Sequence, residues 1–215
     1  MTTMSVDDLS AAITQHDLSV SPEDCERLCR YTELLWDWNT RINLTRHTDF
    51  ESFVSRDLID TLQLSAHIES GQSVLDVGSG GGVPGIPLAI LRPDLTVALA
   101  ESTGKKANVL TAIVQKTDLN VTVHAARAED VLKKQQFDVL TARAVAPIRK
   151  LLFWLQRRSG AFGRLLMIKG PRWVAEREEA EAEGLLENVS LEVIHEYRTP
   201  GHDSNSVVIS VTYNR

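Results

Sequence analysis

Cysteine is nearly missing from this chain, with only Cys25 and Cys29 among 215 residues. That excludes a disulfide framework. The two lie about one helical turn apart in a stretch patterned as helix, so they read as small core residues. No further cysteine or paired histidines accompany them, and no metal site is expected. Long hydrophobic runs are missing too: nothing approaches the roughly 20 apolar residues of a membrane span. The polar, acidic start from Met1 to Asp8 also lacks the charged-then-apolar layout of a signal peptide. A cytoplasmic monomer without membrane contact is the expectation. The third thing lacking is positive charge. A net charge of -6 and a pI near 5.5 exclude overall attraction to nucleic acid and confine any RNA contact to a local patch.

The charge that is present is unevenly placed. Glu176, Glu178, Glu179, Glu181, Glu183 and Glu187 crowd one segment, and Arg143, Arg149, Lys150, Arg157, Arg158, Arg164, Lys169 and Arg172 crowd the one before. Solvated helix faces account for such runs, above all for the glutamates. With 43% hydrophobic residues, the chain can bury one substantial core and carry a small appendage.

Residues 1–68 read as a helical extension. Ser21-Pro22-Glu23-Asp24 is a helix start, with a capping hydroxyl, an early proline and an acid three residues on. Cys25, Leu28, Cys29, Thr32, Leu35 and Trp36 then recur at helical spacing to about Asn39. A weaker helix is expected over Val6–Gln15, and another is marked by Phe50, Phe53, Val54, Leu58 and Leu62. Residues 69–215 change pattern, because short apolar runs alternate with helical periodicity, the signature of βαβ units. Parallel strands are expected over Ser73–Val77, Thr96–Ala100, Val121–Ala125, Phe137–Thr141 and Arg164–Ile168. Helices fill the gaps, and Val189–Tyr197 with Ser206–Tyr213 closes the sheet as an antiparallel hairpin. The fold class is therefore α/β, in the seven-stranded Rossmann-like form used by methyltransferases.

Asp76-Val77-Gly78-Ser79-Gly80-Gly81-Gly82-Val83-Pro84-Gly85 follows the first strand and opens the next helix. Glycines there tolerate positive φ and allow a ligand close to the backbone. Glu101 ends the second strand, where a carboxylate can accept both ribose hydroxyls of an adenosine-containing cofactor. A dinucleotide site uses a similar loop. Asp76 would repel a pyrophosphate yet could pair, directly or through water, with the amino group of a methionine moiety. The D-x-G-x-G-x-G spacing of Asp76, Gly78, Gly80 and Gly82 thus favours S-adenosylmethionine over NAD. Ala128-Glu129 sits where adenine would lie, and Glu129 serves equally well as the acidic first turn of its helix.

At these residues the chain resembles the RsmG family, also called GidB, of bacterial small-subunit rRNA guanine-N7 methyltransferases. The likeness covers nearly the whole chain. It rests on Trp38-Asn39 with Asn43-Leu44-Thr45, the run DVGSGGGVPGIP from Asp76 to Pro87, and Glu101 to Lys106. Arg127-Ala128-Glu129, Arg143-Ala144 and Lys169-Gly170 complete it. The resemblance implies S-adenosyl-L-methionine as cofactor and 16S ribosomal RNA, or the small-subunit particle, as partner. Cofactor contacts would fall on Gly78, Val83, Ala128, Glu129 and Arg143, with Arg127 and Lys169 among the RNA or active-site cations. The chain departs from the family's usual Arg-His and following Asp-Ser with Arg56-Asp57 and Asp60-Thr61. That leaves a carboxylate where a potentially cationic ring is usual. Val83 stands where Phe or Leu is usual.

Guanine N7 has a free lone pair and no proton to lose, so neither a general base nor a covalent cysteine is required. Thr141 to Pro147 lacks the Asn/Asp-Pro-Pro-aromatic motif of enzymes that methylate exocyclic amino groups. Arg143 and Lys169, at ends of successive strands, are the candidate catalytic cations, each with a plain ion pair as its alternative. As a strand-end cation, Arg143 is expected to be replaceable by alanine without harm to the fold. Trp36 is expected in the core, and His47 in a loop. Two other classes remain open: an NAD-dependent oxidoreductase and a non-catalytic ribosome-assembly factor.

Overall fold

The computed structural model describes residues 5–201 and 204–214, so the first four residues of the acidic start lie outside the described residues. Ser5 caps α1 (Val6–Gln15) through a reciprocal pair with Asp8, and Ser21 caps α2 (Pro22–Asn39), as the capping signals require. The next helical stretch is not uniform. Between α3 (Phe50–Ser52) and α4 (Ile59–Ser65), Phe53–Leu58 forms a π-helix, a widening that periodicity alone does not reveal.

The remaining elements follow in alternation: β1 (Ser73–Val77), α5 (Gly85–Leu91), β2 (Thr96–Ala100), α6 (Gly104–Lys116), β3 (Thr122–His124) and α7 (Ala128–Val131). Then come β4 (Phe137–Arg143), α8 (Ile148–Leu155), a 3-10 turn over Gln156–Ala161, β5 (Phe162–Lys169), α9 (Trp173–Ala182), β6 (Val189–Arg198) and β7 (Asn205–Tyr213). They build one seven-stranded sheet of order β3-β2-β1-β4-β5-β7-β6, with β7 antiparallel to both of its neighbours. β3 is shorter than the sequence suggests, while β4 and β5 run longer.

Side-chain alternation along the strands fills two cores, one on each face of the sheet. Val74, Val139 and Leu166 face one way, toward α5, α6 and the N-terminal helices. Leu75, Leu140 and Leu165 face α7, α8 and α9. Residues from Leu9 to Ile68 share their core with Ile86, Leu99 and Leu110, so the helical extension is packed onto the sheet through a continuous apolar layer. Trp36 is buried, with its indole N–H donating to the His47 carbonyl at 2.6 Å. No helix among the described residues is long and apolar enough to cross a membrane. The strand order reverses between β1 and β4, and the crevice beyond their carboxyl ends is where this class of sheet binds ligands.

The β4–β5 pair admits no side chain at one point. A Cβ on Gly163 would lie 2.6 Å from the Asp138 carbonyl oxygen, which is backbone and cannot swing aside. Gly163→Ala is expected to lower unfolding free energy by about 1–3 kcal/mol, through a strand shift instead of a side-chain adjustment. Denaturant titration checks this, and an unchanged midpoint would contradict the close approach.

Candidate active site

The turn after β1 depends on backbone that side chains rarely adopt. Gly78, Gly80 and Gly82 have φ of +67°, +57° and +101°. Their surroundings differ. A Cβ on Gly78 would press on Val145 Cγ1 at 2.8 Å, and one on Gly82 would strike Ile86 Cδ1 at 2.7 Å, whereas Gly80 meets nothing nearer than the Gly78 oxygen at 3.8 Å. Glu101 braces the turn, accepting from the Gly80 amide at 2.9 Å through Oε2 and from the Thr103 amide at 2.7 Å through Oε1. From the other side the Tyr31 hydroxyl donates to the Gly81 carbonyl at 2.8 Å.

Asp76 lies beneath this turn and is 1% exposed. Its Oδ1 accepts from Thr141 Oγ1 at 3.0 Å, while Oδ2 has no partner. Burial pushes its pKa up to about 6, against the lowering influence of nearby donors, the Thr141 hydroxyl among them, and of Arg143.

Above the turn opens a cavity of about 490 Å³, lined by Gly78, Gly80, Val83, Glu101, Ala128 and Glu129, with Arg127, Arg143 and Trp154. Asp76 and Gly82 do not line it. The Asp76 carboxylate lies beneath the loop that forms the floor of the cavity. The lining suits a nucleoside-bearing ligand. It combines an open glycine backbone, a strand-end carboxylate and apolar walls from Val83, Leu35 and Leu44.

A second cavity of about 1190 Å³ adjoins the first, and Leu44, Thr45, Arg143, Ala144 and Val145 line both. Arg46, His47, Arg56 and Lys169 line it as well. Lys169 is not a free cation. Its Nζ donates to the Ala146 carbonyl at 2.6 Å and to Glu176 at 2.8 Å, fastening the β4–α8 connection to α9. Arg127 lines the first cavity and Lys169 the second.

Arg143 ends β4, yet its guanidinium turns to the helical extension. It donates to Asp57 Oδ1 at 2.6 Å, to Asp60 Oδ2 at 3.0 Å and to the Arg56 carbonyl at 3.3 Å. Asp57 and Asp60 are 1% and 7% exposed. Burial disfavours the charge on Arg143, but the two carboxylates more than offset it and raise its pKa. Tyr197 donates to Asp60 at 2.6 Å, and His47 Nδ1 meets Asp57 at 2.9 Å. The expectation that Arg143 serves the site alone is thus corrected, because its removal would leave two buried carboxylates without their cation.

Sequence reasoning missed Tyr31, Asn39, His47, Asp57 and Asp60 as builders of the site. Asn39 Oδ1 accepts from the Leu44 and Thr45 amides at 2.8 and 3.0 Å, which sets the loop that walls both cavities. A signal existed for the aspartates: both fall at helical spacing among Phe53, Val54, Leu58, Thr61 and Leu64, on the mostly apolar stripe of the helix, where an unpaired carboxylate would be costly.

Residues 24–205 match the family model described as rRNA small subunit methyltransferase G, GidB. A relative of that name from Rhodopirellula baltica is 47% identical over 88% of this chain and 82% of its own length. The one from Pseudomonas paraeruginosa is 36% identical over 91% and 89%. This chain belongs to the GidB family. Solved structures share its fold at low identity. The precorrin-6y C5,15-methyltransferase of Geobacter metallireducens has a TM-score of 0.53 at 15% identity, covering 80% of this chain and 91% of that one. A variant of MtNAS in complex with S-adenosylmethionine has a TM-score of 0.60 at 16% identity, covering 97% and 84%.

Two outcomes follow for this GidB-family chain. Arg143→Ala should destabilise it by about 3–5 kcal/mol in denaturant unfolding, the usual cost of stripping a buried ion pair of one member. A wild-type midpoint would return Arg143 to a solvated role. The raised pKa of Asp76 means that the folded state holds a proton the unfolded state releases, so stability is fully present below about pH 4 and declines as pH rises through 6. Asp76→Asn should remove that decline, gaining about 2–3 kcal/mol on the wild type between pH 4 and 6. A pH-independent difference between the two proteins would show that Asp76 ionises normally.

Proposed function

We propose that this chain transfers a methyl group from S-adenosylmethionine to N7 of a guanosine in 16S ribosomal RNA. Methylation of small-subunit ribosomal RNA comes with membership of the family. The donor, the atom methylated and the residue roles are our reading of the two cavities. The observation that carries it is their common wall at Leu44, Thr45 and Arg143 to Val145, which lets a nucleoside ligand in one meet a base in the other. When bound in the smaller cavity, S-adenosylmethionine supplies an electrophilic methyl group for direct in-line transfer. Glu101 accepts the ribose hydroxyls, Gly78 and Gly80 admit the methionine portion against the backbone, and Val83, Ala128 and Glu129 enclose the adenine. In the larger cavity Arg46 and Arg56 attract phosphates, with Arg127 at the mouth of the smaller one. Arg143 and Lys169 act by position: each fixes a loop between the cavities. A lone pair on N7 needs placement at near-attack distance and no proton acceptor.

A second reading has one observation in its favour. His47 lines the larger cavity with its ring oriented by Asp57, the arrangement of a general base, which suits an acceptor that must lose a proton. Transfer of labelled methyl to small ribosomal subunits, followed by nucleoside mass spectrometry with standards, distinguishes the two. Label on guanine N7, with a single-turnover rate independent of pH near neutrality and retained in His47→Asn, is the expected result. Label on an exocyclic nitrogen or a ribose oxygen, with a rate lost in His47→Asn, would replace the base-free reading with the second.

A further inference from the structure

Phe153 is the outlier of the described surface. It is 62% exposed, well above Val174 at 48%, Val193 at 39% and Val6 at 37%, and it is the only aromatic among the large exposed side chains. Its helix explains where it points. α8 buries Ile148, Leu151, Leu152 and Leu155 on one stripe, so the opposite face presents Arg149, Lys150, Phe153 and Trp154, with Arg157 one turn beyond.

The charges around that face are sorted. Arg149 is bonded to Glu179 of α9 and to Glu183 just after it, which places carboxylates along one flank. Lys150, Arg157 and Arg158 form no ion pair among the described residues, and the helical period sets Lys150 on the Trp154 side of that face. Trp154 on that side lines the smaller cavity together with Arg127 and Lys106. The exposed Phe153 and these cations thus sit on, or just beyond, the helix whose Trp154 forms part of the wall of the smaller cavity.

We propose that this face of α8 is a docking surface for a single-stranded stretch of the RNA, with a base stacked on Phe153 and the adjoining phosphates held by Lys150, Arg157 and Arg158. It rests on the reading of ribosomal RNA as substrate and deepens it. A base and an exposed ring both gain by removing their faces from water, and the flanking cations neutralise the phosphates on either side. The α9 glutamates repel phosphate on the far flank and give the strand one direction to follow, toward the cavities. In a chain of net charge -6, these cations supply the local attraction that the whole protein lacks.

The test measures binding of small-subunit ribosomal RNA by the full chain, with methyl transfer to small subunits in parallel. Phe153→Ala should raise the RNA Kd and the KM for subunits about tenfold, while Phe153→Trp stays near wild type. Affinity for S-adenosylmethionine and the circular dichroism spectrum should not change. Lys150→Ala with Arg157→Ala should flatten the slope of log affinity against log salt by about 1.4–1.8. Phe153→p-benzoylphenylalanine should crosslink to ribosomal RNA on irradiation. An unchanged RNA Kd in Phe153→Ala, or crosslinks confined to ribosomal protein, would overturn the proposal. The binding and crosslinking arms need no methyl transfer, so they judge this surface even if the methyl group proves to be placed on a different atom.

Discussion

One guanidinium holds the two cavities in place. Arg143 projects from the end of β4 and meets Asp57 and Asp60 of the helical extension, while Tyr197 of the closing hairpin completes Asp60. Three distant parts of the chain converge on this ion cluster. Buried charges tolerate few arrangements, since each must face its partner or bear the full cost of desolvation. The contact therefore fixes how the extension sits on the sheet, and with it the position of the Leu44–Thr45 wall. The π-helix from Phe53 to Leu58 belongs to the same device, and the Thr61 hydroxyl accompanies it by donating to the Asp57 carbonyl at 2.7 Å.

The glycine turn is held from both sides by that arrangement. Tyr31 and the Leu44 carbonyl approach Gly81 from the extension, Val145 leans on Gly78 from the β4–α8 connection, and Glu101 gathers the Gly80 amide. The turn is thus shaped before any ligand arrives, which limits the ordering that binding must impose. Beneath it, Asp76 keeps one oxygen without a partner in an apolar setting.

Charge is allotted with similar economy. The crowding of basic residues along the chain suggests a positive surface, but Lys169 and Arg149 are taken up by α9 glutamates and Arg143 by the buried aspartates. The glutamate run is therefore partly a set of partners instead of a solvated face alone. The cations that line the cavities without such partners, Arg46, Arg56 and Arg127 among them, are few.

The order of helices and strands, the closing hairpin, the glycine turn and its strand-end acid were legible in the sequence, because hydrophobic period and turn chemistry are local properties. So were Gly78, Gly80, Val83, Glu101, Ala128 and Glu129 as a group, since strand ends in this fold converge on one edge. The π-helical insert was not, because apolar spacing over Phe53–Leu58 fits an α-helix equally well. Nor were the partners of Arg143 and Lys169, whose identity as strand-end cations says nothing about which carboxylates arrive from elsewhere. Asp57, Asp60, Asn39 and Tyr31 act across 86, 83, 5 and 50 residues of chain respectively. Local sequence determined the elements and the class of ligand. Only tertiary structure decided which cations stay free and where the cavities meet, because pairing between charges depends on distances that chain order does not set.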